Sequence, residues 1–341
     1  MADTPRHLTL LVPGLSGPQS DRPVTDYFRE RPLALDRLLT RSRHERMTVR
    51  GLDAVLCREF GIDSGAALPV AALTWLADCD DPLPRHLLRA DPVHLRADQS
   101  CLRLFESHGV PLRADEAAQL VAAINAFNAP LGWQLSAPDP QRWYLALPQC
   151  PALITCAPQQ AAGVDIDPFL PAGADAARWH ASMNELQMLL HDHPVNAARA
   201  ERGEPAINSL WFWGNGELPD VVRAPAAEIC ADLPLAQGLA RHAGIRCAPV
   251  PESFAHWQQG AAPLVVLDAL EWPQHYSDVE SWLEQFEQLD CHWLRPAATA
   301  LRSGQLASIT LDCCDGNRFH SDRWRQYAFW KVPGQFEDIL A

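Results

Sequence analysis

The sequence has no uninterrupted apolar run approaching the 18 residues of a membrane-spanning helix. Its opening, MADTPRHLTLLVPG, has no apolar core of signal-peptide length. Both absences argue against a membrane span and a secretory leader. Lysine is nearly missing, and the densest basic run, Arg41–Arg46 (RSRHER), reads as a solvated helix face. A formal charge of −14 removes the electrostatic footprint of a nucleic-acid or anionic-membrane binder. The ten cysteines are scattered with no C-x-x-C pair. That spacing fits reduced, mostly buried thiols in a cytoplasmic protein better than a disulfide frame or a zinc knuckle. The adjacent Cys313 and Cys314 read as two small hydrophobes in a strand, with reactive thiols as the alternative.

At 341 residues and 48% apolar, the chain can bury one large core or two moderate ones. His7–Val12 is a short apolar run stopped by Pro13-Gly14, as expected of a buried parallel strand. Leu33–Arg46 carries helical spacing, and a second helix opens at Gly51. Pro82 and Pro84 mark a boundary. Beyond it, Ala90–Leu104 alternates like two antiparallel strands around an Ala-Asp-Gln turn. The Asp115–Phe127 helix and strands at Trp133–Leu135 and Trp143–Leu147 complete an α+β insert. A long helix follows from Asp175, its expected N-cap, to His193. The rest alternates: helix at Leu233–Ala243, strand at Ile245–Val250, strand at Pro263–Leu267, helix at Asp278–Leu294, strand at Ser308–Cys313. Such alternation predicts an α/β fold, a mostly parallel sheet with helices on both faces. The predicted division is a core of residues 1–85 and 205–341, with 86–204 inserted.

The most informative stretch is His191–Gly216, HDHPVNAARAERGEPAINSLWFWGNG. Asn196 and Arg199 share a helical face and suit an anion such as phosphate, although a buried structural pair explains the same spacing. Asn208 and the following Gly214–Gly216 are expected at a strand end where ligands of open sheets gather.

HPVN, Arg199, Gly203, the Pro205–Asn208 segment and Trp213-Gly-Asn-Gly216 together resemble a segment of the archaeal-type, cofactor-independent phosphoglycerate mutases of the alkaline-phosphatase superfamily. NELQMLLHDHPVN, RADPVHLRAD and INSLWFWG resemble more closely a bacterial set known as RpfE-type regulatory proteins. The resemblance implies an alkaline-phosphatase-like core with an inserted smaller α+β domain. It also implies that Arg89, Arg96, Asn196, Arg199 and Asn208 face a ligand, either a phosphorylated small molecule or a protein partner.

Measured against the mutase pattern, the catalytic positions are degenerate. Pro13 stands where a metal-binding aspartate is expected. Leu52 takes the place of the serine nucleophile, and a side chain without a nucleophilic atom cannot accept a phosphoryl group. Neither Ser64 nor Cys57 substitutes for it. Asp312 is kept, while Cys313 replaces a histidine. Glu271 and His275 keep the spacing of an Asp-x-x-x-His pair, and His320-Ser321 fits the final His-Ser. The two-metal machine is therefore broken. What remains implied is either no cofactor or one divalent ion, zinc or manganese, on Glu271, His275 and His320. Two functions follow. One is a non-catalytic, regulatory or binding descendant. The other is a single-metal phosphoesterase using a metal-bound hydroxide, with Asp312 as base.

Overall fold

The computed structural model describes residues 6–28, 33–63, 67–98, 101–106, 110–258, 262–328 and 330–340. Ser64 and the Gln99 of the expected turn lie outside them. Among the described residues twelve strands form two sheets: β1 (Arg6–Leu11), β2 (Arg43–Arg46), β3 (Leu87–Asp98), β4 (Cys101–Phe105), β5 (Gln134–Asp139), β6 (Arg142–Ala146), β7 (Ser209–Trp213), β8 (Glu228–Cys230), β9 (Arg246–Ala248), β10 (Leu264–Val266), β11 (Leu306–Asp312) and β12 (Asn317–Asp322). The chain divides into residues 1–62 with 221–341, and residues 63–220.

The first unit is built on a seven-stranded sheet in the order β2-β12-β11-β1-β10-β8-β9. β1 pairs in parallel with both β10 and β11, as the two apolar runs predict, and only β12 and β2 run antiparallel. Leu8, Leu10, Val265, Ile309 and Leu311 turn to one face, where they pack with Trp282, Phe286 and Leu301 of the helices Val279–Leu289 and Arg295–Ser303. The helix Leu52–Glu59 lies on the face of Asp312, which its Arg58 reaches, and it packs beside the helix Pro234–Ala243. Helices thus cover both faces. The expected helix Leu33–Arg46 ends at Arg41, and Arg43–Arg46 becomes edge strand β2, exposed at all four residues. A charged edge resists further strand addition, which accounts for the basic run better than a helix face does.

The second unit carries an antiparallel sheet, β4-β3-β6-β5, with β7 paired to β3. Its core is formed by Leu88, Leu120, Trp143, Trp179, Leu186 and Phe212, from the sheet and from the helices Ala114–Asn128 and Ala176–His191. Asp175 precedes the second of these helices, but its carboxylate accepts from the Ala152 amide and not from the helix start.

The division differs from the one expected at 85/86 and 204/205. The helix Val70–Asp78 packs Ala71 and Trp75 against Leu87 and Tyr144 of the inserted sheet. Strand β7 pairs with β3 from Arg89↔Trp213 to Val93↔Ser209. Both segments therefore belong with the insert, because their apolar faces are buried there. No helix among the described residues is long and apolar enough to cross a membrane.

Candidate functional site

In the first unit Pro13-Gly14 and Glu271 follow the C-terminal ends of β1 and β10, Asp312 ends β11, and His320 lies apart on β12. Gly14 follows β1 with φ +82, and a Cβ there would lie 2.3 Å from the Leu270 carbonyl oxygen. Glycine is retained because the loops after β1 and β10 touch at this point. Gly51 donates its N–H to the Cys314 carbonyl at 2.7 Å, which docks the start of the helix Leu52–Glu59 against the loop after β11. Leu52 is the first residue of that helix, and it is buried. The helix thus begins on a buried hydrocarbon side chain.

Asp312 ends β11 at 1% exposure. It accepts from Arg58 Nη2 at 2.7 Å and from the Cys314 amide at 2.9 Å. Arg318 Nη1 approaches it to 3.5 Å, and both arginines also bind Glu59, at 2.8 and 2.7 Å. Two cations and two anions close a ring. Burial acts to raise the Glu59 carboxyl, but the guanidiniums overcome it and hold the group below its ordinary value. Burial likewise acts to lower Arg58, and Asp312 and Glu59 reverse that. Arg58 Nη1 is buried without a hydrogen-bond partner among the described residues. The positive charge that balances Asp312 is thus supplied by the chain itself.

These residues do not fit a metal. Among the described residues no three His, Cys, Asp or Glu side chains come together as a ligand set. Glu271 and His275 share one short helix, Glu271–His275. His320 sits exposed on β12 beside Thr310, whose hydroxyl is 3.1 Å from its Nδ1. His275 Nδ1 is buried without a partner, and burial lowers its basicity. The expectation of one ion on Glu271, His275 and His320, with Asp312 as base, is therefore corrected. His320 is on a solvent face, and Asp312 is spent on two arginines.

Burial first, and neighbouring acids next, raise the thiols of Cys313 and Cys314 well above the ordinary value. Cys57 is pushed up to about 12 by burial, with Asp53 second. Thiolate is the reactive form, so brief alkylation of the native protein at mildly alkaline pH is expected to modify exposed Cys150 and Cys291 and to spare Cys57, Cys313 and Cys314. Peptide mass spectrometry reads the outcome, and rapid labelling of Cys313 would contradict it.

The ligand-facing residues expected in the second unit are mostly structural. Arg89 is buried, gives Nε and Nη2 to Asp91 Oδ1 at 3.0 and 2.7 Å, and lies over the Tyr144 and Trp213 rings. Asn208 pairs both amide groups with Leu95, at 2.7 and 2.8 Å, as a strand neighbour would. Asn196 ties the Leu190 and Ile207 carbonyls and the Ile207 amide together at 2.7–2.8 Å. Arg199, at 1% exposure, donates to Glu116, Pro205 O and Pro111 O at 2.8, 2.7 and 3.2 Å. Buried polar groups must find partners, and these residues are the partners of loop backbone. The phosphate contact expected of Asn196 and Arg199 is corrected accordingly. Arg96 alone is exposed, with its guanidinium over Phe105. Gly216 is not at an open strand end either. A Cβ there would meet Ala67 O at 1.9 Å, because the Trp-Gly-Asn-Gly loop docks on residues 67–71.

A feature that the motifs did not reveal lies in the first unit. Beyond the C-terminal ends of β8, β9 and β10 a cleft of about 600 Å³ opens, with Asp232, Val250 and Asp268 on its strand side. Its far wall is formed by Leu289, His292 and Trp293. The one sequence signal for it is an acid two residues after each of β8 and β10.

No family model matches the chain. A 2,3-bisphosphoglycerate-independent phosphoglycerate mutase of Methanosarcina mazei is 37% identical over 62 residues, 18% of this chain and 16% of that protein. A probable enzyme of the same name from Geobacter sulfurreducens is 39% identical over 62 residues, with the same shares. The match thus spans about a sixth of the length of these curated relatives. Among solved structures, the PH0037 protein of Pyrococcus horikoshii aligns with 93% of this chain and 87% of its own at a TM-score of 0.51 and 16% identity, a likeness of fold. One segment of the chain is therefore similar to phosphoglycerate mutases, and the chain as a whole has an α/β fold like that of the PH0037 protein.

Proposed function

We propose that this chain is a cytoplasmic, non-catalytic mutase-like protein that works by binding, in a regulatory role of the kind suggested by its resemblance to the RpfE-type set. The observation that carries the proposal is Leu52, buried at the start of its helix, the residue that the sequence resemblance aligns with a serine nucleophile. No atom there can accept a phosphoryl group. The ring of Asp312, Glu59, Arg58 and Arg318 supports the same reading, since it neutralises the one retained metal-ligand aspartate from within. With Arg89 and Arg199 committed to Asp91 and Glu116, a phosphorylated metabolite loses two of its expected holders. The reading therefore favours a protein partner or another small molecule as the ligand.

Purified protein is expected to give no interconversion of 3- and 2-phosphoglycerate above a mock-purified control, with or without added manganese, in an enolase-coupled assay. Turnover that co-purifies with the chain at constant specific activity overturns the proposal.

A further inference from the structure

The cleft beyond β8, β9 and β10 has the size of a small-molecule site, which is roughly 300–1,000 Å³, and its volume is about 600 Å³. Its walls combine apolar surface from Val250, Leu267, Leu270, Leu289 and Trp293 with the acids Asp232, Asp268 and Glu252. Among the described residues no lysine or arginine lines it. Asp232 accepts one hydrogen bond, from the Val250 amide at 3.2 Å. Glu252 is weakly matched by His256 at 3.7 Å, with both side chains largely exposed. Asp268 is half-buried, lines the cleft and, among the described residues, pairs with no cation.

The far wall is also irregular in backbone. After the helix Val279–Leu289 the chain widens into a π-helical turn over Asp290–Leu294, which contributes His292 and Trp293 to the lining. Such turns are costly and concentrate at functional sites. The turn is held by Asp290, whose Oδ2 takes Arg295 at 2.8 Å while Oδ1 stays buried without a partner among the described residues.

An anion is disfavoured by three carboxylates. A divalent metal ion is disfavoured because no three donors converge among the described residues and because the space is much larger than one ion. A neutral apolar molecule would leave the acids uncompensated. We propose that this cleft binds a small organic cation, an amine or guanidine on an apolar body, with Asp232 and Asp268 taking the charge and Leu270, Leu289 and Trp293 the body. An aromatic ring beside a cation adds to such a site. The proposal rests on the cleft alone and stands whether or not the chain is catalytically inert.

Burial, against the hydrogen bond of its own backbone N–H and helped by the nearby Asp232, pushes the Asp268 carboxyl above its ordinary value. A carboxyl raised in the folded state contributes stability that is complete below its ordinary value and is lost as pH rises through the folded one. At neutral pH the charge is therefore a cost. Asp268→Asn is expected to raise Tm at neutral pH and to raise it less in acid. The variant that tests binding should thus fold.

The test is calorimetric titration of the full chain with 1-hexylamine, 1-hexanol and hexanoate at pH of about 8, where the amine is charged. Saturable binding of 1-hexylamine is expected, at least about tenfold tighter than 1-hexanol, with hexanoate not binding. Asp268→Asn and Asp232→Asn should each weaken the amine by about tenfold or more and leave 1-hexanol unchanged. The proposal is overturned by hexanoate binding as well as the amine, by undiminished amine binding in the double Asn variant, or by no saturation up to about 10 mM. None of these outcomes bears on mutase turnover, so the two readings fail separately.

Discussion

Replacing Glu116 by alanine is expected to destabilise residues 63–220 by about 3–5 kcal/mol, the usual cost of stranding a buried charge. Glu116 is buried, and its two oxygens take Arg199 Nη1 at 2.8 Å, Arg113 Nη2 at 2.6 Å and Arg202 Nη2. Arg113 and Arg202 are half or more than a third exposed and can return to water, whereas Arg199 is 1% exposed and cannot. Without Glu116 its nearest acid is Glu204 at 3.6 Å, itself one third exposed. Arg199→Ala should cost less, because Glu116 keeps Arg113 and Arg202. Arg199→Lys should be nearly as harmful as alanine. A single ammonium cannot reach Glu116, Pro205 O and Pro111 O together, as the planar fork does. The measurement is the urea midpoint at unchanged slope. A loss below about 1 kcal/mol for Glu116→Ala would mean that Arg199 finds water, and would return it to the set of ligand candidates.

The second large effect is expected at Asp312. Asp312→Ala should cost about 2–4 kcal/mol, somewhat less than a fully buried pair, because Arg58 and Arg318 retain 19% and 23% exposure. The loss also includes the acceptor of the Cys314 amide, which fixes the loop after β11. For a unit of this size the corresponding fall in Tm is roughly 6–12 °C. The ring has an acid signature as well. Glu59 is depressed in the folded state, so its contribution is present above the ordinary glutamate value of 4.5 and lost as pH falls through the folded one. Glu59→Gln should therefore flatten the stability profile below that value while lowering the neutral plateau. An unchanged acid slope would show that the ring contributes nothing.

Much of the scaffold was legible in the residues. The apolar runs at His7–Val12 and Pro263–Leu267 announce parallel strands, and β1 and β10 do pair in parallel. The alternation through Ala90–Leu104 announces a hairpin, and β3 and β4 form it. These signals are local, since burial on two faces or one dictates the spacing of apolar side chains. Strand β7 shows where that reasoning ends. Its five residues are all buried, the pattern of a parallel core strand, yet it pairs antiparallel with β3. Leu210 and Phe212 meet the core beneath the helix Ala176–His191, while Trp211 and Trp213 on the other face bond to Cys156 O and Asp91. Burial on both faces writes the same composition whichever way the neighbour runs.

The sequence by itself determined what each side chain can offer: Leu52 has no nucleophilic atom and Pro13 no ligating one, wherever they lie in space. Only the tertiary structure decided which charges meet. A spacing of three places Asn196 and Arg199 on one helical face but does not say whether that face looks inward. Folding buries it, and the anion waiting there is Glu116, 83 positions away. Asp312 finds Arg58 across 254 positions, and Asp232 and Asp268 come to one cleft from the ends of β8 and β10. Local patterns are set by the period of helix and strand. The partners of a charged side chain are set by long-range pairing of the sheet, which no short stretch of the chain contains.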